Sequence, residues 1–335
     1  MTLPSSVTSI DSQAFYGCTN LAAINIADGN EHYASRDGVL FSGDMKTLLY
    51  CPPVKSGAFA IPNGVTTIDD NAFNDCQKLT AVTIPNSVTA IGRQAFYQCR
   101  KLAGVYIDDL AAWCAIAFSD QFANPLYYAN RLYLNGSQLT DLVIPGSPAS
   151  IGSYTFCGLS TLKSVTIPNS VTAIGDYAFS GCRGLTSVTL PDGIVSIGAY
   201  AFNGCGLTSL TIPASVDTVG AAAFRGCANL ESVTIPGGVS FGEYAFAECS
   251  SLTSVTIPGD VSFARHAFYG CRSLASATFR SGTNTISNNM FNNCSNLKTV
   301  TIPKSVTTIS TNAFVLCKSL TDVYYTGTAE DYNGP

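Results

Sequence analysis

The stretch Leu162-Lys-Ser-Val-Thr-Ile-Pro-Asn-Ser-Val-Thr-Ala-Ile-Gly-Asp-Tyr-Ala-Phe-Ser-Gly-Cys182 decides the fold. Leu162, Val165 and Ile167 are apolar and Ser164 and Thr166 are polar, the period-two pattern of a strand with one buried face. Pro168 has no N–H to give a ladder, so the strand stops there. Val171 to Ile174 is a second, β-branched extended piece, and Gly175 permits the bend that follows it. Ala178, Phe179, Cys182 and Leu185 then fall at i, i+1, i+4 and i+7, the spacing of one face of a short helical turn.

The same string recurs along the chain. Its phenylalanine stands at Phe15, Phe73, Phe96, Phe156, Phe179, Phe202, Phe224, Phe246, Phe268, Phe291 and Phe314, and from Phe156 onward the steps are 23, 23, 22, 22, 22, 23 and 23 residues. A fixed period in the twenties identifies a solenoid, in which no unit can bury its own apolar face and each must stack on the next. One elongated repeat domain covering 1–335, of eleven to thirteen coils, is therefore expected. Three coils are one residue short, at Cys205 to Leu207, Pro236 to Phe241 and Pro258 to Phe263. In the last two, Phe241 and Phe263 are expected to fill the place of the usual isoleucine.

Composition narrows the function classes. Charged residues make up only 12% of the chain, about half the usual share of roughly 25%. The net charge is −5 and Lys and Arg form no cluster, which argues against a nucleic-acid partner. No apolar run approaches the roughly 20 residues that span a bilayer, so no membrane insertion by this segment is expected. The chain opens inside a repeat and stops inside one, without the polar capping units that solenoids need. A segment of a longer protein is the expectation, with any signal peptide outside it.

Ten of the thirteen cysteines occupy one repeat position: Cys18, Cys76, Cys99, Cys182, Cys205, Cys227, Cys249, Cys271, Cys294 and Cys317. Equivalent residues of stacked coils point the same way, which suits a disulfide poorly. A ladder of small buried thiols is expected instead. Two histidines, His32 and His266, give zinc no convergent ligand set. No cofactor and no metal are expected.

Two interruptions break the period, an insert at 27–60 and another at 103–140. In the first, Gly38 to Phe41 and Thr47 to Tyr50 flank Ser42-Gly43-Asp44-Met45 and read as a β-hairpin. In the second, Asp108-Asp109 precedes Leu110, Trp113, Cys114 and Ala117 at helical spacing, an aspartate-capped short helix. Arg131 to Leu134, the pair Asn135-Gly136 and Leu139 to Ile144 read as a second hairpin. Tyr127 and Tyr128 lie in the loop between. Trp113 is either a residue that packs the insert onto the stack or a ligand contact. The loop tyrosines divide between the same two roles, since aromatic side chains anchor binding surfaces.

The consensus L-x-x-V-x-I-P-x-x-V-x-x-I-G-x-x-A-F-x-x-C closely resembles the BspA-type leucine-rich repeats of bacterial surface proteins, and the resemblance covers nearly the whole chain. It implies an α/β repeat solenoid: a curved leucine-rich repeat stack with a parallel concave β-sheet, short extended segments and helical turns on the other side. It also implies a secreted or cell-surface protein mediating adhesion or protein binding, with a host or extracellular protein or a glycan as partner. It supplies no catalytic residues.

On the outward side of the strands stand pairs such as Ser164 and Thr166, Ser187 and Thr189, and Ser209 and Thr211. The candidate ligand surface is Thr166, Thr189, Thr211, Thr234 and Thr256, with Tyr127, Tyr128 and Trp113 from the second insert. Three readings stay open: strand residues that simply solvate a sheet, a recognition surface, or a water-ordering, ice-binding array. No paired carboxylates, Ser or Cys nucleophile with a base, P-loop or calcium loop can be assigned. A non-catalytic binding module is expected, with a passive spacer presenting another domain as the alternative.

Overall fold

The computed structural model describes residues 1–11, 13–146 and 148–327. They form two compact units. The first holds 1–140 with 144–146 and 152–161, and the second holds 141–143, 148–151 and 162–327.

In the second unit each coil meets the next through three parallel ladders. The first is made by the strand residues. Ser164–Thr166 pairs with Asp141–Val143 and with Ser187–Thr189, and Ser209–Thr211 pairs with Ser232–Thr234. Further along, Ser254–Ile257, Ser276–Phe279, Thr299–Ile302 and Asp322–Tyr325 pair in succession. The second ladder joins the short extended pieces from Ser150–Ile151 through Ala173–Ile174, Ser196–Ile197, Thr218–Val219 and Ser240–Phe241 to Ser262–Phe263. Phe241 does take the place of Val219, and its ring stacks on that of Phe263 with centroids 4.5 Å apart.

The third ladder replaces the expected helical turns, and this is a correction. After Gly175 the N–H groups of Tyr177, Phe179 and Gly181 donate to Ala199, Ala201 and Asn203 of the next coil at 2.7–2.9 Å. The intervening N–H groups of Ala178, Ser180 and Cys182 donate three residues back, to Gly175, Tyr177 and Phe179. A helix would send every N–H along its own axis. Here alternate donors must face the neighbouring coil, which requires left-handed backbone at Tyr177 (φ 56°) and Gly181 (φ 76°). Apolar spacing alone does not separate the two geometries. Among the described residues, α-helix is confined to Leu110–Cys114 and Leu126–Ala129 of the first unit.

The core of the second unit is a column of rings. Phe179, Phe202, Phe224, Phe246, Phe268, Phe291 and Phe314 stack with centroids 5.3–5.6 Å apart and planes within 10° of parallel. Burying each such side chain is worth about 1.5–3 kcal/mol, and no coil could do so alone. The first unit repeats the contact between Phe73 and Phe96, at 4.8 Å.

The glycine after the isoleucine serves close approach. A Cβ on Gly198, Gly220 or Gly242 would lie 2.4–2.6 Å from the backbone nitrogen of Asp176, Ala199 or Ala221 in the preceding coil. The aspartate that follows ties coils together as well, since Asp176 Oδ1 accepts the Ala199 N–H at 2.7 Å.

In the first unit both inserts contribute rungs to the stack. Residues Val39–Ser42 and Thr47–Tyr50 pair antiparallel, and Thr47–Tyr50 also pairs in parallel with Thr67–Ile68. Gly57–Ala60 pairs with Leu79–Thr83, which pairs with Gly104–Ile107. Gly104–Ile107 pairs in turn with Leu132–Leu134, and Ala117–Phe118 with Ala90–Ile91. Asp109 caps Leu110–Cys114, its Oδ1 accepting the N–H groups of Ala111 and Ala112. The second hairpin differs from expectation. Leu132–Leu134 turns back only onto Ser137–Gln138. Asp141–Val143, expected as its return arm, is a parallel rung of the second unit.

Candidate recognition surface

Alternation along each strand fixes which side chains can meet a partner. In Ser209–Thr211 and Ser254–Ile257 the outward residues are exposed and Leu210, Val255 and Ile257 are buried. Parallel register then places like on like: Thr166 beside Thr189, Thr211 beside Thr234, and Thr256 beside Thr278. Thr166, Thr189, Thr211, Thr234 and Thr256 are all exposed. Each side-chain hydroxyl supplies one donor and two acceptor lone pairs, and among the described residues none of the five hydroxyls bonds to another protein group. Among the described residues, the ion pairs lie off this strip. Arg225 meets Glu248 at 3.1 Å and Arg265 meets Glu243 at 2.9 Å at the turns.

The three aromatic candidates lie apart from one another in character. Trp113 is 1% exposed, its Nε1–H donates to the Thr155 carbonyl at 3.1 Å, and its ring leans on Phe118. It packs the insert and does not reach the surface. Tyr128 is half-buried, and its hydroxyl accepts the Gln98 N–H at 3.0 Å. Burial raises its phenol above the ordinary range. Tyr127 is exposed and sits edge-on to Phe122 and Tyr128. Of the three, Tyr127 presents the most surface.

His266 stacks on Tyr244 at 4.5 Å, and desolvation lowers its pKa, with Arg265 adding to the effect. None of the thirteen cysteines forms a disulfide among the described residues. Burial pushes the Cys227 and Cys271 thiols up to about 12, so they remain protonated and unreactive at neutral pH. Among the described residues no group of three His, Cys, Asp or Glu could hold a metal ion, and no helix is long and apolar enough to cross a membrane.

A further feature escaped the sequence reading. A cleft of about 390 Å³ opens in the first unit among Tyr16, Asn74, Asp75, Gln77, Tyr97 and Arg100. The usable signal was Cys51-Pro52-Pro53, two prolines at a place where regular coils need N–H donors.

Comparison with known proteins places the architecture. The model of the BspA type leucine rich repeat region matches residues 1–36, 46–124, 128–237 and 240–333. A leucine-rich repeat protein from Bacteroides ovatus is 23% identical over 91% of this chain and 83% of its own, with a TM-score of 0.56. One from Eubacterium ventriosum is 26% identical over 80% of this chain and 72% of its own, with a TM-score of 0.55. A leucine rich cell surface protein from Faecalibacterium prausnitzii is 23% identical over 92% and 96%, with a TM-score of 0.48. No curated protein matches. With a repeat of stacked parallel strands and a family model matched along nearly its full length, the chain belongs to the BspA-type leucine-rich repeat family.

Proposed function

We propose that this chain is a non-catalytic binding or adhesion module of a secreted or cell-surface bacterial protein, and that its outward strand face meets a host or extracellular protein or glycan. One observation carries the reading. Five threonine hydroxyls stand exposed on parallel strands and none is used by the fold. The residues that alternate with them, such as Leu210 and Val255, are buried. Family membership supports a surface location and an interaction role.

The alternative is a passive spacer that presents another domain. What favours it is the lack of Tyr, Trp or Arg anchors among the five threonines, since such side chains dominate binding energy. Removing 103–140 would not discriminate, because Gly104–Ile107, Ala117–Phe118 and Leu132–Leu134 are rungs and Trp113 is core. Surface substitutions do. Immobilised extracellular-matrix proteins and glycans are titrated with the wild type and with Thr211→Lys/Thr234→Lys. The binding reading expects a saturable signal that the double variant weakens about tenfold, roughly 1.4 kcal/mol, with unchanged unfolding. A wild type that binds none of them, or a variant that binds as well, overturns it.

A further inference from the structure

The turn ladder of the first unit is interrupted where Cys51 leads into two prolines. In regular coils, the residue two after the inward-facing donor gives its N–H to the next coil: Gly181 donates to Asn203, Gly204 to Arg225 and Gly226 to Ala247. In the first unit Cys51 donates normally, to the Ala72 carbonyl at 2.7 Å. The residue two after Cys51 is Pro53, which has no N–H. The Asn74 carbonyl, two after Ala72, therefore receives no ladder bond, although Asn74 is only 7% exposed. An acceptor so placed costs free energy unless something donates to it.

The same break leaves room. Where a full turn would lie, Tyr50 and Pro53 line the cleft of about 390 Å³. Tyr50 is fixed there by its hydroxyl, which donates to the Phe15 carbonyl, and by its ring against Phe15. The walls are polar and already oriented by one another. Asn74 Nδ2 donates to Asn71 Oδ1, Gln77 Nε2 to Asp75 Oδ1, and Arg100 Nε to Gln98 Oε1. Each bond uses one side of its group. Asp75 Oδ2 and the two terminal nitrogens of Arg100 bond to no other protein atom. Tyr16, 66% exposed, and Tyr97 stand at the rim.

We propose that this cleft is a saccharide-binding site. An unpaired carbonyl and a carboxylate oxygen call for hydroxyl donors, a guanidinium and amides call for hydroxyl acceptors, and sugar hydroxyls are both. Tyrosine rings pack against the C–H face of a sugar ring. Asp75 and Arg100 offset each other, so a neutral sugar is the class that fits. The cleft belongs to the first unit and the threonine strip to the second, and the site goes beyond the function proposed above, so either can fail without the other.

The test is saturation-transfer NMR of the intact chain with N,N′-diacetylchitobiose, cellobiose and lactose, one at a time. Transfer to at least one disaccharide is expected. The same sugar should shift the ring signals of Tyr16 and Tyr97 in the wild type and leave those of Tyr177 and Tyr200 in place. Asp75→Asn and Arg100→Ala should each weaken binding about ten- to hundredfold, while Lys101→Ala, outside the cleft, should not. No transfer with any of the three, binding that survives both cleft variants, or ring shifts confined to the other tyrosines overturns the proposal. Should a variant fail to fold, the wild-type ring shifts decide.

Discussion

The Cys249 thiol donates to the carbonyl oxygen of Phe224, one coil back, at 3.3 Å. The same bond joins Cys227 to Phe202, Cys271 to Phe246 and Cys294 to Phe268, all at 3.2 Å. Cys99 makes it to Phe73 in the first unit at 3.1 Å. The thiol is thus small enough for the core and also a second donor to a carbonyl that already accepts the N–H three residues further on, as Phe224 does from Cys227. Alanine would fill the space less well and donate nothing, and serine would bury a stronger polar group.

These buried thiols make the fold sensitive to alkali. Burial raises Cys227 and Cys271 from 9.0 to about 12. Above pH 9 the unfolded chain sheds thiol protons that the folded chain still holds. The unfolded state then binds fewer protons, so stability falls as pH rises. The thiol contribution is complete below pH 9 and declines between 9 and 12, by up to about 1.4 kcal/mol per pH unit for each such group. Urea midpoints at pH 7.5 and pH 10 measure it. The midpoint should drop, and Cys271→Ser should shrink the drop by removing one titrating group. Equal midpoints would refute the account.

The column of rings sets a second expectation. Phe224 is fully buried between Phe202 at 5.5 Å and Phe246 at 5.4 Å. Phe224→Ala should cost about 3–5 kcal/mol, while Thr234→Ala on the exposed strip should change stability by no more than about 0.5 kcal/mol. Because Phe202 and Phe224 touch, their double alanine variant should depart from additivity by about 0.5–3 kcal/mol. Denaturant unfolding reads all three, and a Phe224→Ala cost below about 1 kcal/mol would show that the stack is not what holds the coils.

Much of this was legible in the sequence because it depends on spacing. Recurrence of Phe179 and Cys182 at one period implies stacking, and alternation in Ser164-Val165-Thr166 assigns inside and outside. Spacing does not report direction. The apolar positions Ala178, Phe179 and Cys182 suit a helical turn and the observed ladder equally, and only the destination of each N–H separates them. Thiol donation to a preceding carbonyl is silent for the same reason. Asp141–Val143 misled because a strand near an Asn-Gly turn pairs locally by default, whereas here the partner Ser164–Thr166 offers a deeper stack. The cleft at Asn74 was hidden because it follows from a missing donor at Pro53.

Backbone shape in one coil gives opposite signs to two small substitutions. Ala222 sits at φ 55°, a conformation that costs a non-glycine residue roughly 1–2 kcal/mol. Ala222→Gly recovers that and loses about 0.4–1 kcal/mol through the unfolded chain, so it should be neutral or stabilising. Gly220→Ala would bring a Cβ to 2.4 Å from the Ala199 nitrogen and should cost about 1–3 kcal/mol by overpacking. Thermal unfolding compares them. Finding Ala222→Gly the more damaging of the two would contradict the assigned backbone.

Trp113, the single tryptophan of the chain, allows the first unit to be followed by itself. Its indole is 1% exposed and its Nε1–H is satisfied by the Thr155 carbonyl at 3.1 Å, so folded protein should emit at short wavelength and resist quenching by iodide. Unfolding of 1–140 should shift the emission red and open it to quencher. Trp113→Phe keeps the contact with Phe118 and removes one of two donors to the Thr155 carbonyl, which still accepts from Asn124 Nδ2 at 3.1 Å, for about 0.5–1.5 kcal/mol. Trp113→Ala removes the packing as well and should cost about 3–5 kcal/mol. A ligand-contact tryptophan would behave differently: its emission would be quenchable in the folded state, and both substitutions would spare stability. Iodide quenching of native protein, followed by urea unfolding of the two variants, distinguishes a packed residue from an exposed one.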